Sequence, residues 1–364
     1  MSLRFAGAAL AAPILLAAVH AAAQSPAAST PFGTWDKPDP AVAKSGWKVP
    51  RTPWGDPDLR GQWPIDYLAQ TPRQRPASFG TRNVLTDEEY KAALQRAEFQ
   101  LDEYKNEGKA NKLGMGHWIE RGLPLKQASL MTYPPDGRLP PMAAEGKKRA
   151  AAGKSSWTEQ VFNWVNDFNL YDRCITRGMP GSMLPGNYNS GISVWQSPGF
   201  VAIKLEMIHE TRIIPLDGRG APPKPVRTYL GYSTGHWDED SLIIETTNFL
   251  PGSSLGNSGG FAKPVPNSER MTILEKLTPT GPDSIHYEAW INDPEVLTGP
   301  FKYDFPWRRN PEYVQYEYAC HEGNEQVRGY IEGRSDNPRL VAKREAAVKA
   351  RDEGHPIDIH PVKP

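Results

Sequence analysis

MTILEKLT (Met271–Thr278), SIHYEAWI (Ser284–Ile291) and PFKYDFPW (Pro300–Trp307) are three short runs rich in β-branched and aromatic residues, parted by Gly, Pro, Asn and Asp. Such runs fit strands laid on a pleated, half-buried surface, and the punctuation between them fits turns. Working outward, the same texture recurs at Phe200–Ile214, Val226–Tyr232, Ser241–Thr247 and Tyr313–His321. No helical period interrupts the series, so the expected fold is mainly β. An antiparallel barrel or strongly curved sheet is expected over residues 194–335, because closure removes sheet edges that would otherwise pair with other chains. The strand pattern is lipocalin-like.

The remaining segments read as attachments to that sheet. Arg4 and the apolar run Phe5–Val19 precede Ala21-Ala22-Ala23. The run falls short of the ~20 residues needed to span a bilayer, so residues 1–23 are expected to be a signal peptide cut before Gln24. The product would be periplasmic or secreted, with no stable membrane anchor. Residues 24–84 are Pro-rich and carry Trp35, Trp47, Trp54 and Trp63. Disordered segments are poor in aromatics, so an extended arm packed on the main domain is expected. Thr86 and Glu89 form a capping box, and Tyr90, Leu94, Ala97, Leu101 and Tyr104 follow at spacings of three and four. These predict an amphipathic helix over 85–108. Residues 109–193 read as irregular, with a strand at Ala128–Tyr133, a turn at Pro134–Arg138 and a basic helix or linker at Lys147–Lys154. Residues 336–364 read as a peripheral helix and tail.

Charge narrows the partners. Forty-two basic residues face forty-two acidic ones, and without a clustered cationic excess there is no footprint for nucleic acid. A small-molecule ligand or substrate is expected instead; nothing in the pattern specifies an oligomeric state. Glycine-rich dinucleotide and phosphate loops, Gly-x-Ser-x-Gly, His-Glu-x-x-His and Cys-x-x-Cys are all missing from the sequence, so no cofactor and no metal are expected. Cys174 and Cys320 are the only cysteines. In an oxidising compartment a disulfide is the default, the alternative being a thiolate activated by His321.

Chemistry then rests on titratable residues inside strand-like or loop-like segments. His321, in Glu317-Tyr318-Ala319-Cys320-His321-Glu322-Gly323-Asn324, has the intrinsic pKa for proton transfer and follows the expected disulfide, although a hydrogen-bonded structural histidine fits equally. Glu317 shares its face on an extended strand but lies roughly 13 Å away, so each needs a partner from elsewhere. His209 falls on the face of Val201, Ile203, Leu205, Met207, Thr211 and Ile213 if Phe200–Ile214 is one unbroken strand. Its spacing of three from Glu206 suits a metal only on a helix. Glu245 is a general acid or base if its face is buried and a plain surface residue if it is not. Asp172 and Arg173 either serve a site or tie down the loop around Cys174. Arg173, Arg177, Arg212 and Arg308 can each pair a substrate carboxylate through the guanidinium fork, with Trp307 and Asp304 near Arg308.

The Asp172-Arg173-Cys174 loop and Tyr318-Ala319-Cys320-His321-Glu322-Gly323-Asn324, with Trp54-Gly55-Asp56-Pro57-Asp58-Leu59-Arg60-Gly61-Gln62-Trp63, Tyr133-Pro134-Pro135-Asp136-Gly137-Arg138-Leu139-Pro140-Pro141, Glu206-Met207-Ile208-His209 and Gly235-His236-Trp237 through Phe249, resemble a large family of secreted bacterial proteins without an assigned activity. The resemblance spans most of the mature chain. It implies an exported protein with a shared site and names no reaction. From the residues, the expected function is cofactor-independent acid–base catalysis of the lyase, decarboxylase or isomerase type on a small, partly aromatic or hydrophobic substrate in a barrel pocket. The alternative is a non-catalytic carrier of such a compound.

Overall fold

The computed structural model describes residues 30–36, 46–110, 122–156, 161–186, 188–255 and 265–353. The expected signal peptide and its cleavage point lie outside them. Among the described residues the strands form two antiparallel sheets and a small ribbon, and no closed barrel is present. The smaller sheet has the order β1 (Gly61–Gln62), β3 (Ile192–Ser197), β4 (Phe200–Leu205), β5 (Thr211–Pro215). The larger runs β2 (Met131–Tyr133), β12 (Phe301–Arg308), β11 (Ser284–Asn292), β10 (Thr272–Gly281), β7 (Ser241–Thr247), β6 (Tyr232–Asp238). The ribbon pairs β8 (Gly252–Leu255) with β9 (Val265–Asn267). Inward residues of both sheets, such as Val201 and Ile203 on one and Ile273, Tyr287 and Phe305 on the other, join a single hydrophobic core. Where the barrel would close, Gly235 of β6 lies against the side chains of Ile214 and Leu216 at the end of β5, without a backbone ladder between them.

Three expected strands are corrected. Phe200–Ile214 is a hairpin, because the chain turns through Met207–His209, with Ile208 at φ 62° and His209 at φ 44°, and Leu205 N donates to Glu210 O at 2.8 Å. The turn shifts the alternation. Val201, Ile203 and Leu205 face inward before it, but Arg212 and Ile214 do so after it, leaving Thr211 and Ile213 exposed, as period-2 geometry requires when the register slips by one. Val226–Tyr232 is irregular chain leading into β6, and Tyr313–His321 is irregular and held by side chains rather than by a ladder.

The helices are α1 (Asp87–Lys109), α2 (Ala144–Ala152), α3 (Glu325–Arg334) and α4 (Pro338–Asp352). At the start of α1, Thr86 N donates to Glu89 Oε2 at 2.8 Å and Glu89 N to Thr86 Oγ1 at 3.2 Å, the reciprocal pair of a capping box. Among the described residues no helix is long and apolar enough to cross a membrane. Cys174 and Cys320 form a disulfide with Cα atoms 5.7 Å apart.

Candidate functional site

Alternation on β11 and β12 builds the site. Tyr287, Ala289, Tyr303 and Phe305 point into the core, which turns His286, Glu288, Trp290, Lys302 and Asp304 to the opposite face. The register sets Glu288 opposite Asp304 and Trp290 opposite Lys302, close enough for side chains to interact across the strands. The arm crosses this face. Asp36 N donates to Glu288 Oε1 at 2.8 Å, Trp290 Nε1 donates to Thr34 O at 3.3 Å, and the indole leaves no room for a Cβ at Gly33. Asp36 thereby joins four residues roughly 250 or more positions away in sequence.

Lys302 Nζ sits in the middle, 2.8 Å from Asp36 Oδ1, 3.3 Å from Glu288 Oε1 and 3.7 Å from Asp304 Oδ2. His286 Nε2 lies 2.8 Å from Asp304 Oδ1. The side chains grade from sealed to open: Lys302 is 5% exposed, Asp304 11%, His286 34% and Asp36 48%. Their acidities are pushed apart. A hydrogen bond with Asp304, reinforced by burial, raises the Asp36 carboxyl to about 6. Burial alone would raise Asp304 too, but contacts with His286 and Asp36 and the Lys302 charge outweigh it and hold Asp304 at about 2. Burial works against the cationic forms of Lys302 and His286, yet the surrounding carboxylates override it and raise both. Two carboxyls of one cluster therefore differ widely in proton affinity, the arrangement that separates an acid role from a base role.

Asp36, His286, Glu288 and Asp304 offer ligand atoms within 4.8 Å of one another, a donor set a divalent cation could use. The Lys302 ammonium already stands among three of them, so this arrangement fits a metal only after that side chain leaves.

The residues singled out from the sequence separate into several places. Asp172 accepts from Ser156 N at 3.0 Å, Ser156 Oγ at 2.8 Å and Asn169 Nδ2 at 2.9 Å, and burial raises its carboxyl. Asn324 Nδ2 reaches Asp172 O at 3.0 Å and Cys174 Sγ at 3.2 Å, so the Asp172–Arg173–Cys174 loop and the chain after Cys320 are tied together. His209 is exposed with Nδ1 3.3 Å from Tyr318 O, while His321 and Glu317 lie exposed on irregular chain. Glu245 is exposed on the outer face of β7, which is its surface reading. Arg212 is sealed in the core with Glu275. Trp307 is a core residue, Arg308 lies 4.7 Å over the Tyr67 ring, Arg173 is half-buried, and buried Arg177 lies 5.8 Å over the Tyr171 ring.

Glu206 turns inward, away from His209. The Tyr313 hydroxyl is 2.6 Å from Glu206 Oε2 and 3.0 Å from Asp66 Oδ2, and both carboxyls are buried. A phenol has one hydrogen for two acceptors, and burial raises the Asp66 carboxyl.

Sequence reasoning missed Asp36, His286, Glu288 and Lys302. A signal was present: His286-x-Glu288 and Lys302-x-Asp304 place polar pairs at alternate positions of otherwise apolar strands. Comparison with family models, with curated proteins and with solved structures finds no match.

Proposed function

We propose that the chain is a cofactor-independent acid–base enzyme of the lyase, decarboxylase or isomerase type, acting on a small, partly aromatic or hydrophobic substrate. The observation that carries this reading is the Asp36–Asp304–His286 arrangement around Lys302, in which Asp36 sits near 6 and Asp304 near 2. A group near 6 exchanges its proton readily at neutral pH, and the half-open Asp36 is the member a substrate can reach. His286, raised by Asp304, is the second proton carrier. Lys302, sealed among the carboxyls, positions Asp36 beside Asp304. Beside the cluster the Tyr133 ring, 39% exposed, tilts against Trp290 at 5.0 Å and offers a flat apolar surface. The site then lies on the outer face of the sheet under the arm, not inside a barrel. Export to the periplasm or beyond rests on the N-terminal pattern and agrees with the disulfide.

Proton abstraction in D2O tests this directly. A panel of small aromatic hydroxy and keto acids is incubated with the protein and followed by proton NMR for deuterium uptake. The expected result is exchange that changes with pH around 6 and falls at least ~100-fold in Asp36→Asn. Exchange unaffected by that substitution rejects the assignment. The exposed Tyr133 surface also favours a carrier, and binding without any exchange supports that second reading.

A further inference from the structure

We infer that the pocket between residues 68–76 and the Pro134–Arg138 turn is a second site, which binds a small organic carboxylate. It shares no residue with the acid–base cluster, and its volume is ≈ 400 Å³, the size of a small-molecule site. Among the described residues, every charged one lining it is a cation: Arg73, Arg75 and Arg138. Leu68, Pro72 and Pro185 supply apolar wall.

Arg75, the innermost of these, is buried in a way that asks for an anion. Arg75, 1% exposed, donates Nη1 to Pro135 O at 2.6 Å and Nη2 to Asn83 Oδ1 at 2.7 Å, both neutral acceptors, and its Nε–H has no acceptor. Burial lowers its pKa, against which only exposed Asp136 acts. Arg73 is 3% exposed and donates Nη2 to Pro185 O at 2.6 Å. Burial and the neighbouring Arg177 charge pull its pKa down to about 9. Taking a guanidinium out of water is costly unless a counter-charge is supplied. Here three cations converge on one cavity, and among the described residues lining it there is no carboxylate to meet the Arg75 charge.

The Pro134-Pro135-Asp136-Gly137-Arg138 turn is built around this pocket. Gly137 has φ 62°, and a Cβ there would press on the Arg75 guanidinium, so glycine is required both by the turn and by the arginine packed on it. Arg138 Nη1 donates to Arg75 O at 3.0 Å, which holds its exposed guanidinium at the pocket mouth with other donors still to offer. Guanidinium forks match planar carboxylates, and the apolar wall gives an organic body somewhere to lie. A simple inorganic anion would use the cations and leave that wall wet.

The test is calorimetric titration of the full chain with sodium benzoate and, separately, with inorganic phosphate. Benzoate is expected to bind, to raise the melting temperature, and to shift the Arg75 Nε–H resonance. In Arg138→Gln its Kd is expected to rise about 10-fold or more, as loss of a charged hydrogen bond requires, with the unliganded melting temperature lowered only slightly by loss of the Arg138–Arg75 O hydrogen bond. No benzoate binding, equal Kd in wild type and Arg138→Gln, or binding of phosphate alone would each overturn the inference.

Discussion

The two faces of the larger sheet carry two very different ionic clusters. Inside, Arg212 of β5 meets Glu275 of β10 through a bidentate pair, with Nη1 2.9 Å from Oε1. Ser233 and Thr246 accept from Arg212 Nη2, Tyr287 donates to Glu275 Oε1 at 2.8 Å, and the two side chains are 1% and 0% exposed. Outside, across β11 and β12, Lys302 is shared among three carboxyls, one of them brought by the arm and half open to solvent. Both clusters contain a cation and more than one acceptor. They differ in access: the inner pair bridges the two sheets and is closed to substrate, whereas the outer one includes Asp36, raised to about 6 and half open to solvent. Charge in a strand is therefore a poor guide to function until the face it occupies is known.

The largest effect is expected inside. Glu275→Gln leaves the Arg212 charge buried without its partner, which costs about 3–5 kcal/mol and should appear in denaturant unfolding as a lower midpoint. Replacing both partners, Arg212→Met with Glu275→Leu, should lie much nearer wild type, because no buried charge is then stranded. A single substitution costing under about 1 kcal/mol would erase the contrast between the two faces.

The outer cluster should respond less, and in a pH-dependent way. Lys302→Met leaves Asp36, Glu288 and Asp304 facing one another without their ammonium, so the Asp36 carboxyl, already raised in the folded protein against the pull of Lys302, rises further. Its contribution to stability is present at low pH and lost as pH rises through its folded value. The expected loss at pH 7 is about 1–3 kcal/mol, recovering towards pH 5. With the ammonium gone, the four-ligand set of Asp36, His286, Glu288 and Asp304 becomes available. Mn2+ should raise the melting temperature of Lys302→Met and leave wild type unmoved. Equal Mn2+ responses would show that Lys302 does not occupy the cation position.

Where the strand has one wet and one dry face, the sequence could be read closely: Ser241–Thr247 was expected as a strand and is β7. The disulfide and the helix cap were equally legible, because each depends on few residues and a local rule. The chain after β12 was not. Tyr313, Tyr316 and Tyr318 suggest a strand by propensity, but the Tyr313 hydroxyl is drawn to Asp66 and Glu206 and the segment runs irregularly. Helix α3 was hidden by Gly329 and Gly333, which weaken a helical pattern although they do not forbid it. The acid–base cluster was legible only in halves. His286 and Glu288 resemble ordinary outward positions until the arm is laid over them, and no local pattern places Asp36 beside a strand some 250 residues later.

The smallest effect separates the two acids of the outer cluster by the sign of their pH dependence. Asp36 has a folded pKa of about 6 against an ordinary value of 3.8. The folded protein thus holds a proton that the unfolded chain releases, and the stability from Asp36, full below pH 3.8, declines as pH rises to about 6. Asp304, at about 2 when folded, acts oppositely: its contribution is full above pH 3.8 and is lost as pH falls towards 2. Asp36→Asn should therefore remove the decline between pH 4 and 6 while keeping the acid-side loss. Because the Asp36 side chain is 48% exposed, solvent screening reduces its expected effect to about 1 kcal/mol at pH 7, in the stabilising direction. Unfolding curves at pH 4, 5, 6 and 7 for wild type and Asp36→Asn would measure it. Parallel pH profiles would mean that the raised group lies elsewhere in the cluster, and the acid role would then pass from Asp36 to His286.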